Sequence, residues 1–190
     1  MFKLKIISSS VRPGRKGPIV GKWVESSMQQ LAGFEVEFID LGELNLPMMD
    51  EPYHPRMQQY QHEHTKAWAA KIDEADAFVF VTAEYDYNYP APLRNALEYL
   101  SKEWAYKPAG IVSYGGISAG TRAFVGLKGD LSSFRVVPLM ESINIPFFDQ
   151  FINESGEFVP NNATMKAMDA LIAELPRWTK GMQLIRENRL

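Results

Sequence analysis

The sequence of 190 residues contains no cysteine. That absence excludes disulfides, thiolate nucleophiles and iron–sulfur ligands together, and it gives no sign of an oxidising compartment. A basic excess is also missing. Twenty Lys and Arg stand against 23 Asp and Glu, a net charge of −3, which argues against a nucleic-acid partner. No stretch approaches the roughly 20 apolar residues of a membrane span. The apolar run within Met1–Ile7 is too short for a signal-peptide core. The expectation is a soluble cytoplasmic protein with neither nucleic acid nor membrane as partner. Two chemical fingerprints are absent as well. There is no G-x-G-x-x-G and no Gly-Lys-Ser/Thr after a glycine loop. What is present is a hydrophobic share of 46%, enough for a full core, and a length that fits one domain over 1–190.

Short apolar runs alternate with longer amphipathic ones. Leu4–Ser8 reads as a buried strand and Pro18–Ala32 as a helix, with Val20, Val24, Met28 and Leu31 on one face and Gly33 as its stop. Phe34–Asp40 alternates apolar and acidic residues, the pattern of a second strand. Leu41–Arg56 carries Pro47, Pro52 and Pro55 and reads as an irregular loop. Gln58–Glu74 returns to helical spacing, with Tyr60, His64, Ala67, Trp68 and Ile72 on one side. Ala77–Thr82 is a continuous apolar run, as expected of a central parallel strand. Helix over Pro92–Ser101, strand over Ala109–Ser113, helix over Thr121–Ser132, strand over Phe134–Leu139 and a long helix over Ala163–Glu187, which Pro176 could bend, complete the order. Strict β-α alternation predicts an α/β fold with helices on both faces of a parallel sheet. Such a sheet binds ligands beyond the carboxyl ends of its strands. The loops after Ser8, Thr82 and Ser113 are therefore the ones to inspect.

The first, Ser8–Gly17, leaves a strand and enters a helix carrying Ser10, Arg12, Gly14, Arg15 and Gly17. Hydroxyls, glycines and arginines beside a helix N-terminus make an anion site; the alternative is a solvated basic turn. A monophosphate suits one compact loop better than a pyrophosphate does. The second, Thr82–Pro90, holds Tyr85, Tyr87 and Tyr89. These offer flat faces and a backbone turn to a planar heteroaromatic ring, or else simply cover the core. The third, Ser113–Ala123, has adjacent Gly115 and Gly116, which let backbone approach a ligand closely.

In order and spacing these loops resemble the NADPH-dependent FMN reductases, a flavodoxin-like family that includes quinone and azo reductases. The matching pieces are Ser10–Gly17 with Trp23-Val24, Glu84–Pro90 with Leu93–Leu97, and Ser113–Gly116. The Leu46–Pro52 loop matches too. The resemblance runs from the first strand to about Leu131. It implies a doubly wound, five-stranded parallel sheet of order 2-1-3-4-5 with FMN as resident cofactor and NADPH as reductant. It assigns Ser10, Arg12 and the backbone from Arg15 through Lys16, Gly17 and Pro18 to Ile19 to the phosphate. Ala83, Glu84, Tyr85, Asp86 and Tyr87 would hold the ring system, and Ser113, Gly115 and Gly116 would border its far edge. The family has proline before the glutamate and asparagine after the tyrosine, where this chain has Ala83 and Asp86; a charge at Asp86 facing the ring would disfavour its anionic reduced form.

The activity this implies is NAD(P)H-dependent reduction of quinones, azo compounds or free flavin, by ping-pong hydride transfer through FMN. The flavin carries the chemistry, so no catalytic side chain is named. A homodimer or homotetramer is implied, with Tyr87, Tyr89, Trp104 and Tyr106 as surplus aromatic surface. The alternatives are an electron carrier of flavodoxin type without a nicotinamide site, and a regulatory protein that senses flavin redox state. His62-Glu63-His64 is not expected to bind metal, because histidines two apart on a helix diverge. Ser9 and Ser10 lack partners for nucleophilic catalysis. Asp73, Glu74 and Asp76 are expected on a solvated helix end.

Overall fold

The computed structural model describes residues 1–188. Five strands, β1 (Phe2–Ser8), β2 (Phe34–Asp40), β3 (Ala77–Ala83), β4 (Pro108–Tyr114) and β5 (Val137–Ile145), form one sheet of order β2-β1-β3-β4-β5. All four pairings are parallel. The helices are α1 (Gly17–Met28), α2 (Leu41–Leu44), α3 (Glu63–Asp73), α4 (Ala91–Glu98), α5 (Thr121–Ser133) and α6 (Asn162–Arg186). This is the flavodoxin-like, doubly wound arrangement. Among the described residues no helix is long and apolar enough to cross a membrane.

Two apolar layers hold it together, one on each sheet face. Leu4, Ile6, Val79 and Val81 pack with Val20, Val24 and Met28 of α1 and Leu171 and Leu175 of α6. Ile7, Phe78, Phe80 and Ile111 pack with Trp68, Leu93, Leu97 and Leu127 of α3, α4 and α5. Alternation along each strand produces this division, because successive side chains point to opposite faces. β3 is buried at every residue, which is why its sequence is apolar without a break.

The sheet brings three loops together. Ser8 pairs with Val81, Thr82 with Ser113 and Ala83 with Tyr114, so β1, β3 and β4 end at one level. The chain leaves β1 toward β2 on one side, while β3 lies on the other. The crevice therefore opens beyond β1 and β3, at the topological switch point.

Several sequence expectations need correction. β5 begins three residues later than Phe134 and runs to Ile145, with a register irregularity opposite Ala109 and Ile111. The helix expected from Gln58 begins only at Glu63, and Tyr60 precedes it, donating to buried Glu103. The loop Leu41–Arg56 contains α2 and a 3-10 turn at Pro55–Met57. Pro176 lies inside α6 without ending it. His62 and His64 do not diverge: His62 stands at the position just before α3, outside the helix, and the two rings stack at 5.2 Å. Glu74 and Asp76 are not merely solvated, since Glu74 pairs with Lys3 and Lys5, and Asp76 with Arg186. Trp104 and Tyr89 are buried, which leaves Tyr87 and Tyr106 as the exposed pair of the four aromatics.

Candidate functional site

A cleft of about 450 Å³ lies at the carboxyl ends of the strands. The loop after β1 supplies Ser10, Arg12, Arg15, Lys16 and Gly17. The turn after β3 supplies Ala83, Glu84 and Tyr85, and the end of β4 supplies Tyr114, Gly115 and Gly116. The fourth wall is Phe147–Gln150, beyond β5.

The first wall is a cradle around the start of α1. Ser10 and Tyr114 are buried, and neither hydroxyl makes a hydrogen bond of good geometry. Both crowd the Gly17 Cα: a Cβ there would lie 2.1 Å from Ser10 Oγ and 2.3 Å from the Tyr114 hydroxyl. Only glycine lets α1 begin so close to these oxygens. No side chain caps α1, and Pro18 occupies its first turn, where a missing N–H costs nothing. A helix N-terminus without a side-chain cap, beside an orphaned buried hydroxyl, has the donor chemistry of an oxyanion site. Burial pushes the Tyr114 hydroxyl up to about 12, partly offset by Ser10 beside it, so it remains a donor at neutral pH.

The cations of this loop are not equivalent. The Arg15 guanidinium donates to Asp40 at 2.8 Å and lies against Gly42, where a Cβ would come within 2.6 Å of it. The Lys16 ammonium pairs with Asp149 at 2.8 Å, tying this loop to the fourth wall. Arg12 is exposed, lies 5.9 Å from the Tyr85 ring centre, and pairs with no carboxylate among the described residues.

The second wall is a two-residue hairpin turn. Tyr85 and Asn88 exchange backbone hydrogen bonds, while Asp86 and Tyr87 both take positive φ, 46° and 71°. Left-handed backbone at two successive non-glycine residues is strained. Glu84 anchors this turn to the third loop, accepting from the Ser118 hydroxyl, the Arg122 N–H and the Arg122 guanidinium. Burial raises its carboxyl, but the Arg122 ion pair and these donors outweigh that and hold it below the ordinary range. On the third wall, Gly120 sits at φ 73°, and a Cβ would meet the Tyr114 nitrogen at 2.8 Å. That close approach folds the Gly115–Gly120 loop over the end of β4.

Nine of the fourteen sequence-derived site residues meet on this cleft: Ser10, Arg12, Arg15, Gly17, Ala83, Glu84, Tyr85, Gly115 and Gly116. The others do not line it. Pro18 and Ile19 border a separate groove with Trp23 and Phe158. Ser113 is fully buried, its hydroxyl donating to Ala119 and accepting from Asn144. Asp86 and Tyr87 project from the turn into solvent. Lys16, within the Arg15–Ile19 stretch expected at the phosphate, also lines the cleft, whereas sequence reasoning missed Tyr114 and Phe147–Gln150 as wall residues. The last segment follows β5, whose displaced end hid it; the signal was Ile143 and Ile145, an alternating pair that continues the strand past Leu139. Among the described residues no group of three or more His, Asp or Glu could hold a metal ion.

Comparison with known proteins identifies the family. Residues 2–150 match the family model of the NADPH-dependent FMN reductases. An NAD(P)H-dependent FMN reductase of Schizosaccharomyces pombe is 43% identical over 148 residues, spanning 76% of this chain and 74% of that protein. An NAD(P)H:quinone oxidoreductase of Solanum tuberosum is 32% identical over 136 residues, spanning 67% and 66%. Among solved structures, the flavoenzyme NAD(P)H:(acceptor) oxidoreductase of Paracoccus denitrificans superposes with a TM-score of 0.74 at 21% identity, covering 96% of this chain and 99% of that one. That last likeness speaks for the fold alone.

Proposed function

The chain belongs to the NADPH-dependent FMN reductase family, and from that premise we propose that its cleft holds FMN and reduces small acceptors, quinones first among them, at the expense of NAD(P)H. One observation carries the placement. Ser10 Oγ is buried and unpartnered beside the uncapped start of α1, at a glycine that nothing larger could replace. A phosphate monoester satisfies that hydroxyl, and Arg12 is the loop cation left to meet its charge.

In this reading Ser10, Arg12 and Gly17 hold the phosphate, and Arg15 props the loop through Asp40. The backbone of Ala83, Glu84 and Tyr85 faces one edge of the ring system, and Gly115 and Gly116 the other. Pro18, Ile19 and Ser113 shape the cradle from behind. Bound FMN supplies the redox chemistry, taking a hydride from nicotinamide and delivering it to the acceptor. The protein's part is to bind, orient and leave one face open. Acceptor and nucleotide use that face in turn, in ping-pong order; azo compounds and free flavin belong to the acceptor range. Residues 1–190 act as one flavin-binding unit that assembles as a homodimer or homotetramer.

The second reading, an electron carrier with no nicotinamide site, shares the fold. Against it stand the arginine-bearing phosphate loop and the small net charge of −3. Anaerobic mixing of the FMN-loaded protein with NADPH separates the two. The reductase reading expects rapid bleaching of the flavin's visible band; a band that persists makes the protein a carrier.

A further inference from the structure

Beside the cleft stands a second built feature, joined to it through Glu84. Tyr87 adopts φ 71° and leaves 72% of its surface exposed. A large aromatic residue is held in strained left-handed backbone, only to stand in solvent. Backbone strain that the core does not require points toward function. One face of the ring is covered by the Arg122 guanidinium, 4.2 Å from its centre. Arg122 is fixed in turn by Glu84, a wall residue of the cleft, at 2.8 Å through one of its terminal nitrogens. Only one nitrogen of its fork bonds Glu84, and the side chain remains 46% exposed. Glu84, Arg122 and Tyr87 thus form a rigid shelf one side chain outside the cleft, with an open aromatic face and an open cationic edge.

We propose that this shelf receives the adenosine end of the reductant, and that Arg122 selects the dinucleotide whose adenosine ribose carries a phosphate. The proposal rests on the reductase reading above and adds to it a preference for NADPH over NADH. The chemistry divides between two groups. A purine ring stacks on the free face of Tyr87 whether or not the ribose is phosphorylated. A ribose phosphate monoester is a dianion with oxygens spaced for a guanidinium fork, and the unphosphorylated ribose offers nothing of that charge. Holding Arg122 between a carboxylate and a ring also removes most of the rotamer freedom that phosphate binding would otherwise cost.

The test compares NADPH, NADH and reduced nicotinamide mononucleotide, which lacks the adenosine end, as donors to the FMN-loaded protein. Arg122→Gln keeps a donor for Glu84 but removes the charge. It is expected to lower kcat/KM for NADPH roughly ten- to a hundredfold, the value of a charged hydrogen bond. NADH and the mononucleotide should change less than about twofold. Tyr87→Gly suits the positive φ and removes the ring; it should weaken both dinucleotides about tenfold and spare the mononucleotide. FMN affinity, titrated in parallel, should hold in both variants. Loss of all three donors together in Arg122→Gln would show that Arg122 acts only through Glu84 on the flavin, and would overturn the proposal. So would NADPH and NADH falling equally, or neither falling. If the parent is bleached by none of the three donors, the reductase reading itself fails, a result distinct from any of these.

Discussion

Arg12 carries the heaviest chemical assignment of any single residue. Arg15 is neutralised by Asp40 and Lys16 by Asp149, so in the proposed placement of FMN the phosphate charge falls to the remaining guanidinium. A charge-assisted bond of roughly 1.5–3 kcal/mol makes Arg12→Ala weaken FMN by about one to two powers of ten. Riboflavin, which has no phosphate, should bind the variant and the parent alike. Arg12→Lys should recover part of the loss, because the charge returns without the fork. Titrating apo-protein with both flavins checks this, and equal weakening of the two would remove Arg12 from the phosphate. At the opposite end of the sheet Lys107 is nearly excluded from water, its ammonium donating to the carbonyls of Ile72 and Asp73 at the end of α3. Burial depresses it to about 8 from an ordinary 10.5. Between these values the unfolded chain binds the proton that the folded chain has released, so this group's contribution to stability rises with pH from about 8 to 10.5. The full span is worth about 3 kcal/mol. Chemical denaturation at pH 7.5 and 9.5 should show the parent gaining relative to Lys107→Met; a pH-independent difference would contradict the depressed value.

Among the elements, α4 and the proline-rich loop before it hold each other in place. Asn95 donates to the Pro47 carbonyl at 2.7 Å and accepts from the Met49 N–H at 3.0 Å. Tyr99 adds bonds to Pro47, Met48 and Asp50. Asn95→Ala strands the Met49 N–H and should cost about 1–3 kcal/mol in urea unfolding, with greater protease sensitivity in the loop at residues 46–52. A loss confined to a few tenths would mean that the clamp is dispensable. This pairing joins Leu46–Pro52 to Leu93–Leu97 through Asn95, which meets a carbonyl and an N–H of the loop. Strands β1 to β4 were legible because the buried face of a parallel sheet is written as unbroken or alternating apolar residues, AFVFVTA above all. β5 was not, because it interrupts its own pattern: Met140 is exposed, and Pro138 lies opposite the irregularity at Ala109. Its misplaced end concealed the wall Phe147–Gln150. The phosphate loop could be read from charge and glycine spacing, but the Ser10–Tyr114–Gly17 cluster could not, since it joins residues about a hundred positions apart. Nor could the sequence show that Arg15 and Lys16 are occupied by acids arriving from β2 and from beyond β5.

At the scale of the whole molecule, the exposed apolar side chains bear on assembly. Ile117, Val125 and Met140 are each more than half exposed, apolar surface that the proposed assembly would cover. Light scattering at micromolar concentration should report a dimer or tetramer, and a monomer would refute the proposed assembly. The same account holds that nucleotide and acceptor take turns at one open face above the cleft. Its most direct test runs the two halves of the cycle apart. FMN-loaded protein is bleached anaerobically with NADPH, freed of nucleotide by gel filtration, and then mixed with a quinone. The account predicts that the flavin's visible band returns in a single turnover with no nucleotide present. A protein that NADPH does not bleach, or one that the quinone can reoxidise only while nucleotide remains bound, would contradict it.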